Sequence, residues 1–109
     1  MKARRDYVDY LRDILDAIEK AGRFTAGMDY AAFAADDKTV FAVGRALEII
    51  GEATKKVPKS VRDKHPGLPW RAMAGMRDRL THAYFGVDIE VVWRTVQEDL
   101  PRLKAPLES

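Results

Sequence analysis

An arginine, a histidine and a tyrosine lie close together in the segment "MRDRLTHAYFGVD", residues 76–88. Histidine exchanges protons near neutral pH because its unperturbed pKa is about 6.5, and arginine keeps its charge and can bind two phosphoryl oxygens. Arg77, His82 and Tyr84 therefore suit cleavage of RNA by attack of its own 2′-hydroxyl, which needs a base, an acid and a cation. They equally suit a polar helix end with a structural histidine, and their spacing leaves both interpretations open.

Proton transfer and helix geometry constrain the catalytic interpretation. One histidine cannot easily be base and acid in the same step, whereas a two-fold homodimer presents two copies of Arg77 and His82 to one cleft. At about 100° per residue, His82 lies roughly 140° around an ideal helix from Arg77. Either the helix unwinds near residues 81–85, or the arginine side chain reaches round to the histidine. The scheme needs no divalent metal, and we expect neither a metal nor another cofactor.

The charge distribution places this segment at the edge of a basic stretch. Residues 1–54 hold 8 basic and 10 acidic side chains, and residues 80–109 hold 3 and 5. Residues 55–79, here called the basic region, hold 8 basic side chains against 2 acidic ones. Such a region can attract a polyanion, and an ordinary solvated basic face is the alternative.

Length and composition predict one globular domain spanning residues 1–109. Hydrophobic residues make up 47% of the chain and charged residues 33%, which argues against disorder. No apolar run approaches the roughly 18 residues of a membrane span, and the start "MKARRDYVDYLRD" turns acidic where an export signal would be apolar. Because cysteine is absent, disulfides and thiolate metal sites are excluded. We expect a cytoplasmic protein without membrane contact.

The apolar spacing predicts an all-α fold, an antiparallel bundle of four main helices plus one or two short ones. The first helix is predicted over residues 4–21, with an apolar stripe at spacings of three and four. A short helical turn over residues 30–35 follows, with Asp29 as its N-cap. In "DDKTVFAVGRALEIIGEATKKV", Gly44 and Gly51 fall on nearly the same side and predict tight packing of the backbone there. Glu48 and Glu52, one turn apart, could border a cleft, although a solvated helix face is the simpler interpretation.

The second half of the chain predicts three further helical segments. Ser60 and Asp63 resemble a capping box for a brief helix, and a longer helix is predicted from Trp70 to about Tyr84. The last helix is predicted to begin near Ile89, to be bent or ended by Pro101, and to direct four further apolar residues inward: Val92, Val96, Leu100 and Leu103. Outside residues 76–88, we expect Trp70 and Trp93 to be core or interface anchors and His65 to be a surface residue without a catalytic role.

The sequence resembles the HepT-like branch of the HEPN family, helical proteins of prokaryotic toxin–antitoxin modules. The resemblance covers most of the chain and is most specific in "ALEIIGEATKKVP", "LPWRAMAGMRDRLTHAYFGVD" and "VVWRTVQEDLPRL". Arg77, His82 and Tyr84 match the R-x4-H-x-Y motif of that family. The resemblance implies a HEPN-like bundle and a metal-independent endoribonuclease toxin of a type VII-like system. Arg77 and His82 are then the catalytic residues in a homodimer cleft.

The same resemblance implies a means of control and contains one departure. Tyr84 corresponds to the residue to which an MntA-like nucleotidyltransferase antitoxin adds AMP, which silences the toxin. Asp78 stands where the family usually has asparagine. It could support catalysis by orienting His82 from one helical turn away, but it also adds negative charge beside a phosphate site.

Two other functions remain open at this stage. One is a non-catalytic HEPN subunit that binds a nucleotide or serves as the partner of a nucleotidyltransferase. The other is a helical dimer that binds nucleic acid through the basic region. The presence of both Arg77 and His82 favours the enzyme, whereas Asp78 favours the alternatives.

Overall fold

Helices form all the regular secondary structure in the part of the chain that the computed structural model describes, residues 6–78 and 89–108. In chain order these are α1 (Tyr7–Phe24), α2 (Tyr30–Ala34), α3 (Asp37–Lys56), α4 (Lys59–Asp63), α5 (Trp70–Ala74), α6 (Ile89–Arg94) and α7 (Leu100–Glu108). A π-helical turn, Thr95–Asp99, joins α6 to α7. The predicted all-α fold is confirmed.

The core is centred on the packing of α1 against α3. The apolar stripe of α1 buries Ile14 and Ile18, and α3 buries Leu47 and Ile50 against it. Burying a side chain of this size contributes about 1.5–3 kcal/mol, so this contact is a principal source of stability. The two helices are antiparallel, since residues near the start of α1 line one shallow groove with residues near the end of α3: Tyr10 and Asp13 with Glu52 and Lys56.

The last helix, α6 to α7, runs antiparallel to α1. The Gln97 side chain donates to Thr25 Oγ1, just beyond the end of α1, at 3.3 Å, and Leu107 lies beside Leu11 near the start of α1. All four of the further residues predicted to point inward are buried, and Ile89 is partly buried against the core. The predicted inward face of this helix is confirmed.

Pro101 does not end the last helix, which continues to Glu108. Proline has no N–H and its ring clashes with the carbonyl four residues earlier in an α-helix. The turn directly before it is π-helical, and the Leu100 N–H bonds to the Thr95 carbonyl five residues back. The wider turn changes the position of the carbonyls before the proline ring, which lets the helix pass through Pro101.

Two aspartates cap the helices that they precede. The Asp29 carboxylate accepts from the Ala32 N–H at 2.8 Å, which confirms the predicted N-cap of α2. Asp36 accepts from the Thr39 N–H at 3.2 Å and from the Thr39 hydroxyl at 2.9 Å at the start of α3. These bonds, the backbone one first, lower the pKa of Asp36 from its ordinary value of 3.8.

The capping box predicted at Ser60 and Asp63 is wrong. Helix α4 begins at Lys59, two residues before the start that Ser60 as N-cap would give, and the carbonyl of Pro58 accepts from the Val61 and Arg62 N–H groups. Pro58 is extended, with φ −62° and ψ 148°, and no side chain caps the helix. Asp63 Oδ2 instead accepts from Lys59 Nζ at 2.8 Å, in an ion pair within the same short helix.

The helix predicted from Trp70 to Tyr84 is interrupted at Gly75. Helix α5 ends at Ala74, and the Gly75 N–H bonds to the Arg71 carbonyl, after which residues 76–78 are helical again. Glycine is less favourable than alanine in a helix interior by about 1 kcal/mol, so a break occurs there at low cost. Residues 79–84 of this prediction lie outside the described part of the chain.

Candidate nuclease site

Arg77 is held at the surface by buried neighbours on either side of Gly75. Met73 in α5 and Met76 in the following helical residues are both buried in the core. The adjacent Arg77 is therefore directed outward, and its side chain is 54% exposed. The segment that carries the predicted catalytic cation is thus anchored by apolar packing while its charge stays accessible.

Gly51 of α3 lets this segment come into contact with the helix backbone. A Cβ atom at Gly51 would lie 3.2 Å from the Ala74 carbonyl oxygen and 3.4 Å from both the Cβ and the N of Arg77. Only a residue without a side chain allows this approach without displacing a neighbour. The tight packing predicted from Gly44 and Gly51 is confirmed at Gly51.

The neighbouring residue, Glu52, binds Arg77 directly. Arg77 Nη1 donates to Glu52 Oε1 at 2.9 Å, and the Glu52 side chain is 50% exposed. The sequence allowed Glu52 either to border a cleft or to lie on a solvated face, and it did not identify Arg77 as the partner. Glycine beside Glu52 was the available signal of a close approach. Glu48, one turn earlier, instead pairs with Arg45 of its own helix at 2.7 Å.

Asp78 lies at the surface beside Arg77 and does not pair with it. Its backbone N–H donates to the Gly75 carbonyl at 3.0 Å, and the side chain is exposed. Arg77 thus takes its anionic partner from α3 rather than from the adjacent residue. His82 and Tyr84 lie outside the described residues, so the supporting role predicted for Asp78, orienting His82, stays a prediction.

The basic region forms a largely exposed surface around the end of α3, α4 and α5. Most of its cations that the structure describes are exposed: Lys55, Lys56, Lys59, Lys64, Arg71 and Arg77. Arg62 is partly buried, and its Nε atom is buried without a hydrogen-bond partner. This exposure fits both a polyanion-binding region and a solvated basic face, and Arg77 belongs to the same region.

The two tryptophans have structural contacts. Trp93 packs against Phe33 and Tyr30, with ring centroids 5.2 Å and 6.3 Å apart. Trp70 Nε1 donates to the His65 carbonyl at 3.0 Å, while His65 itself is exposed. The predicted anchoring of both tryptophans and the surface position of His65 are confirmed.

Among residues 6–78 and 89–108, no three His, Cys, Asp or Glu side chains are grouped so that they could hold a metal ion. Within the same residues, no helix combines the length and the apolar character that crossing a membrane requires.

Comparison with known proteins gives matches over nearly the whole chain. The family model described as "Ribonuclease HepT-like" matches residues 14–109. "Probable ribonuclease HepT" from Thermococcus cleftensis is 54% identical over 106 residues, which cover 97% of this chain and 96% of that protein. No solved structure gives a significant match.

More distant relatives carry similar names. "Putative RNase MJ0125" from Methanocaldococcus jannaschii is 45% identical, over 97% of this chain and 91% of that protein. "Putative RNase TTE0752" from Caldanaerobacter subterraneus subsp. tengcongensis is 40% identical, over 100% of this chain and 95% of that protein. The matched segments include residues 76–88 and α3, the two regions that supply Arg77 and Glu52.

Proposed function

Because the chain belongs to the HepT-like ribonuclease family, we propose that it is a metal-independent endoribonuclease toxin of a type VII-like toxin–antitoxin system. In this proposal residues 1–109 act as one helical domain on RNA in the cytoplasm. The observation that carries it beyond family membership is the position of Arg77 in the basic region. Its guanidinium is exposed, while its segment is anchored by the buried Met73 and Met76 and packs against the backbone at Gly51.

The proposed reaction is transesterification within the RNA. The 2′-oxygen forms a bond to phosphorus and the bond from phosphorus to the 5′-oxygen breaks. His82 of one protomer accepts the proton of the 2′-hydroxyl, and the second His82 of a homodimer donates a proton to the leaving 5′-oxygen. Arg77 stabilises the negative charge that grows on the phosphoryl oxygens, for which a permanently charged, planar donor is suited.

Tyr84 is the proposed site of control. An MntA-like nucleotidyltransferase antitoxin would transfer AMP from ATP to the phenolic oxygen of Tyr84. A bond from that oxygen to the α-phosphorus forms, pyrophosphate leaves, and the phenolic proton is lost to a base. The support is the match of Arg77, His82 and Tyr84 to the family motif. The added phosphate, two residues from His82, would place negative charge where the RNA phosphate has to bind.

A second candidate function has one observation in its favour. Two carboxylates, Glu52 and Asp78, lie beside Arg77, one in contact with it and one adjacent in the chain. Negative charges at this position oppose the binding of a phosphodiester. They would fit a non-catalytic HEPN subunit that binds a nucleotide or the nucleotidyltransferase without cleaving RNA.

Purified wild-type chain, Arg77→Ala and His82→Ala, incubated with RNA in EDTA, separate the two candidates. We expect the wild type to leave 2′,3′-cyclic phosphate ends and His82→Ala to lower kcat by about 10²–10⁴-fold. Arg77→Ala is expected to lower it by about 10²–10³-fold, the cost of removing one donor to the transition state. Cleavage that needs added metal, or that is equal in His82→Ala, would contradict the proposal, and a wild type that binds but never cleaves RNA would support the non-catalytic subunit.

A further inference from the structure

The contact between Arg77 and Glu52 joins two parts of the chain that are 25 residues apart. The inference drawn from it rests on the proposed function, because it concerns how Arg77 is presented to the RNA. Two other exposed ion pairs do not involve Arg77, because each lies within a single helix: Lys59 pairs with Asp63 in α4, and Arg45 pairs with Glu48 in α3. The Arg77–Glu52 pair alone among these contacts bridges two segments.

The structure fixes Arg77 at two points. At the backbone, Gly51 permits a close approach to α3, since a Cβ atom added at Gly51 would lie only 3.4 Å from the N and Cβ atoms of Arg77. At the end of the side chain, Glu52 Oε1 accepts from Nη1 at 2.9 Å. An unrestrained arginine side chain has many rotamers, and the second contact selects those that direct the guanidinium along the end of α3.

The contact leaves most of the guanidinium available. A single Nη1–Oε1 bond is present, and the other N–H groups of the Arg77 guanidinium have no acceptor among the described residues. A guanidinium has enough donors to bind a carboxylate on one side and a phosphate on another. Because the side chain is also 54% exposed, a phosphodiester can approach it without first breaking the ion pair.

We propose that Glu52 is a positioning residue of the nuclease: it holds the Arg77 guanidinium in the orientation in which its other donors face the scissile phosphate. Glu52 does not touch the substrate and transfers no proton. Its effect therefore falls on the transition state, where the charge on the phosphoryl oxygens is largest, rather than on the binding of RNA.

The test compares the steady-state cleavage of a short RNA by wild type, Glu52→Ala, Glu52→Gln and Glu48→Ala. Glu48→Ala is the matched control, because it removes the same charge from α3 one turn away without touching Arg77. We expect Glu52→Ala to lower kcat roughly threefold to fivefold, the size of an exposed ion pair, with KM nearly unchanged. Glu52→Gln keeps an oxygen acceptor and should restore most of kcat, and Glu48→Ala should retain the wild-type kcat.

A second measurement follows Arg77 without any substrate. Side-chain ¹⁵Nε relaxation should show a more disordered Arg77 in Glu52→Ala than in wild type or Glu48→Ala, with thermal unfolding confirming that all three are folded. If the wild type does not cleave RNA, the proposed function fails and this inference with it. If the wild type cleaves and Glu52→Ala matches it in kcat, or exceeds it because the carboxylate shields Arg77, only the role of Glu52 is overturned.

Discussion

Helix α3 packs against α1 and against the segment that carries Arg77 in two different ways. Towards α1 it presents large apolar side chains, among them Leu47 and Ile50, which are fully buried. Towards the Arg77 segment it presents Gly51, where backbone meets backbone, and then Glu52, half exposed in an ion pair. The first contact removes apolar surface from water, and the second fixes the position of a charge while leaving it in water.

Along α3, the contact that stabilises the fold is therefore distinct from the contact that positions the charge of Arg77. Burial of apolar area is the dominant favourable term in folding, whereas an exposed ion pair contributes about 0–1 kcal/mol. The α1–α3 contact can therefore sustain the fold while residues beside Arg77 vary in charge. The Arg77 segment depends on that fold for its position and contributes little to it through its own polar contacts.

The largest expected effect comes from Leu47→Ala, which breaks the apolar contact. Leu47 is fully buried, and a cavity left in the core should lower the free energy of unfolding by about 2–5 kcal/mol. Urea denaturation followed by circular dichroism measures it. Phe41→Ala on the same helix is the control, since that side chain is 61% exposed and should change stability much less. Equal losses in the two variants would mean that the α1–α3 contact is not the principal source of stability.

An intermediate effect is expected from Gly51→Ala, which crowds the backbone contact. The new Cβ would lie 3.2 Å from the Ala74 carbonyl oxygen, so the segment has to shift by a few tenths of an ångström and Arg77 shifts with it. Gly22→Ala in α1 is the control, since nothing lies within 4 Å of its added Cβ. The control gains helix propensity of up to about 1 kcal/mol, and Gly51→Ala should be less stable than the control by about 1–3 kcal/mol.

The activity of the same two variants sharpens the prediction. If Arg77 acts as proposed, Gly51→Ala should lower kcat for RNA cleavage because the guanidinium is displaced from the transition state, while Gly22→Ala should cleave RNA like the wild type. Gly51→Ala with both the stability of the control and the wild-type kcat would show that the close approach is not required.

Most contacts between residues close in sequence were predicted, although the capping box at Ser60 and Asp63 was wrong, whereas the partner that folding brings to Arg77 was not predicted. The apolar stripe of α1 and the Asp29 cap depend on spacings of three or four residues, which one sequence displays directly. The Arg77–Glu52 contact depends on how α3 packs against a segment 25 residues away, which helical periodicity does not encode. The break at Gly75 and the π-helical turn before Pro101 were not predicted for a related reason. Tertiary packing decides whether a glycine or a proline ends a helix or only distorts it.

The smallest expected effect comes from Glu52→Ala measured as stability rather than activity. The pair is half exposed on both sides, so its loss should change the free energy of unfolding by less than about 0.5 kcal/mol in urea denaturation. Raising the salt concentration should reduce even that difference, because ions screen exposed charges. A loss comparable to that of Leu47→Ala would mean that the ion pair holds the Arg77 segment on α3 instead of only directing its side chain. The distinction between the two faces of α3 would then disappear, because a single contact would serve both stability and the placement of the charge.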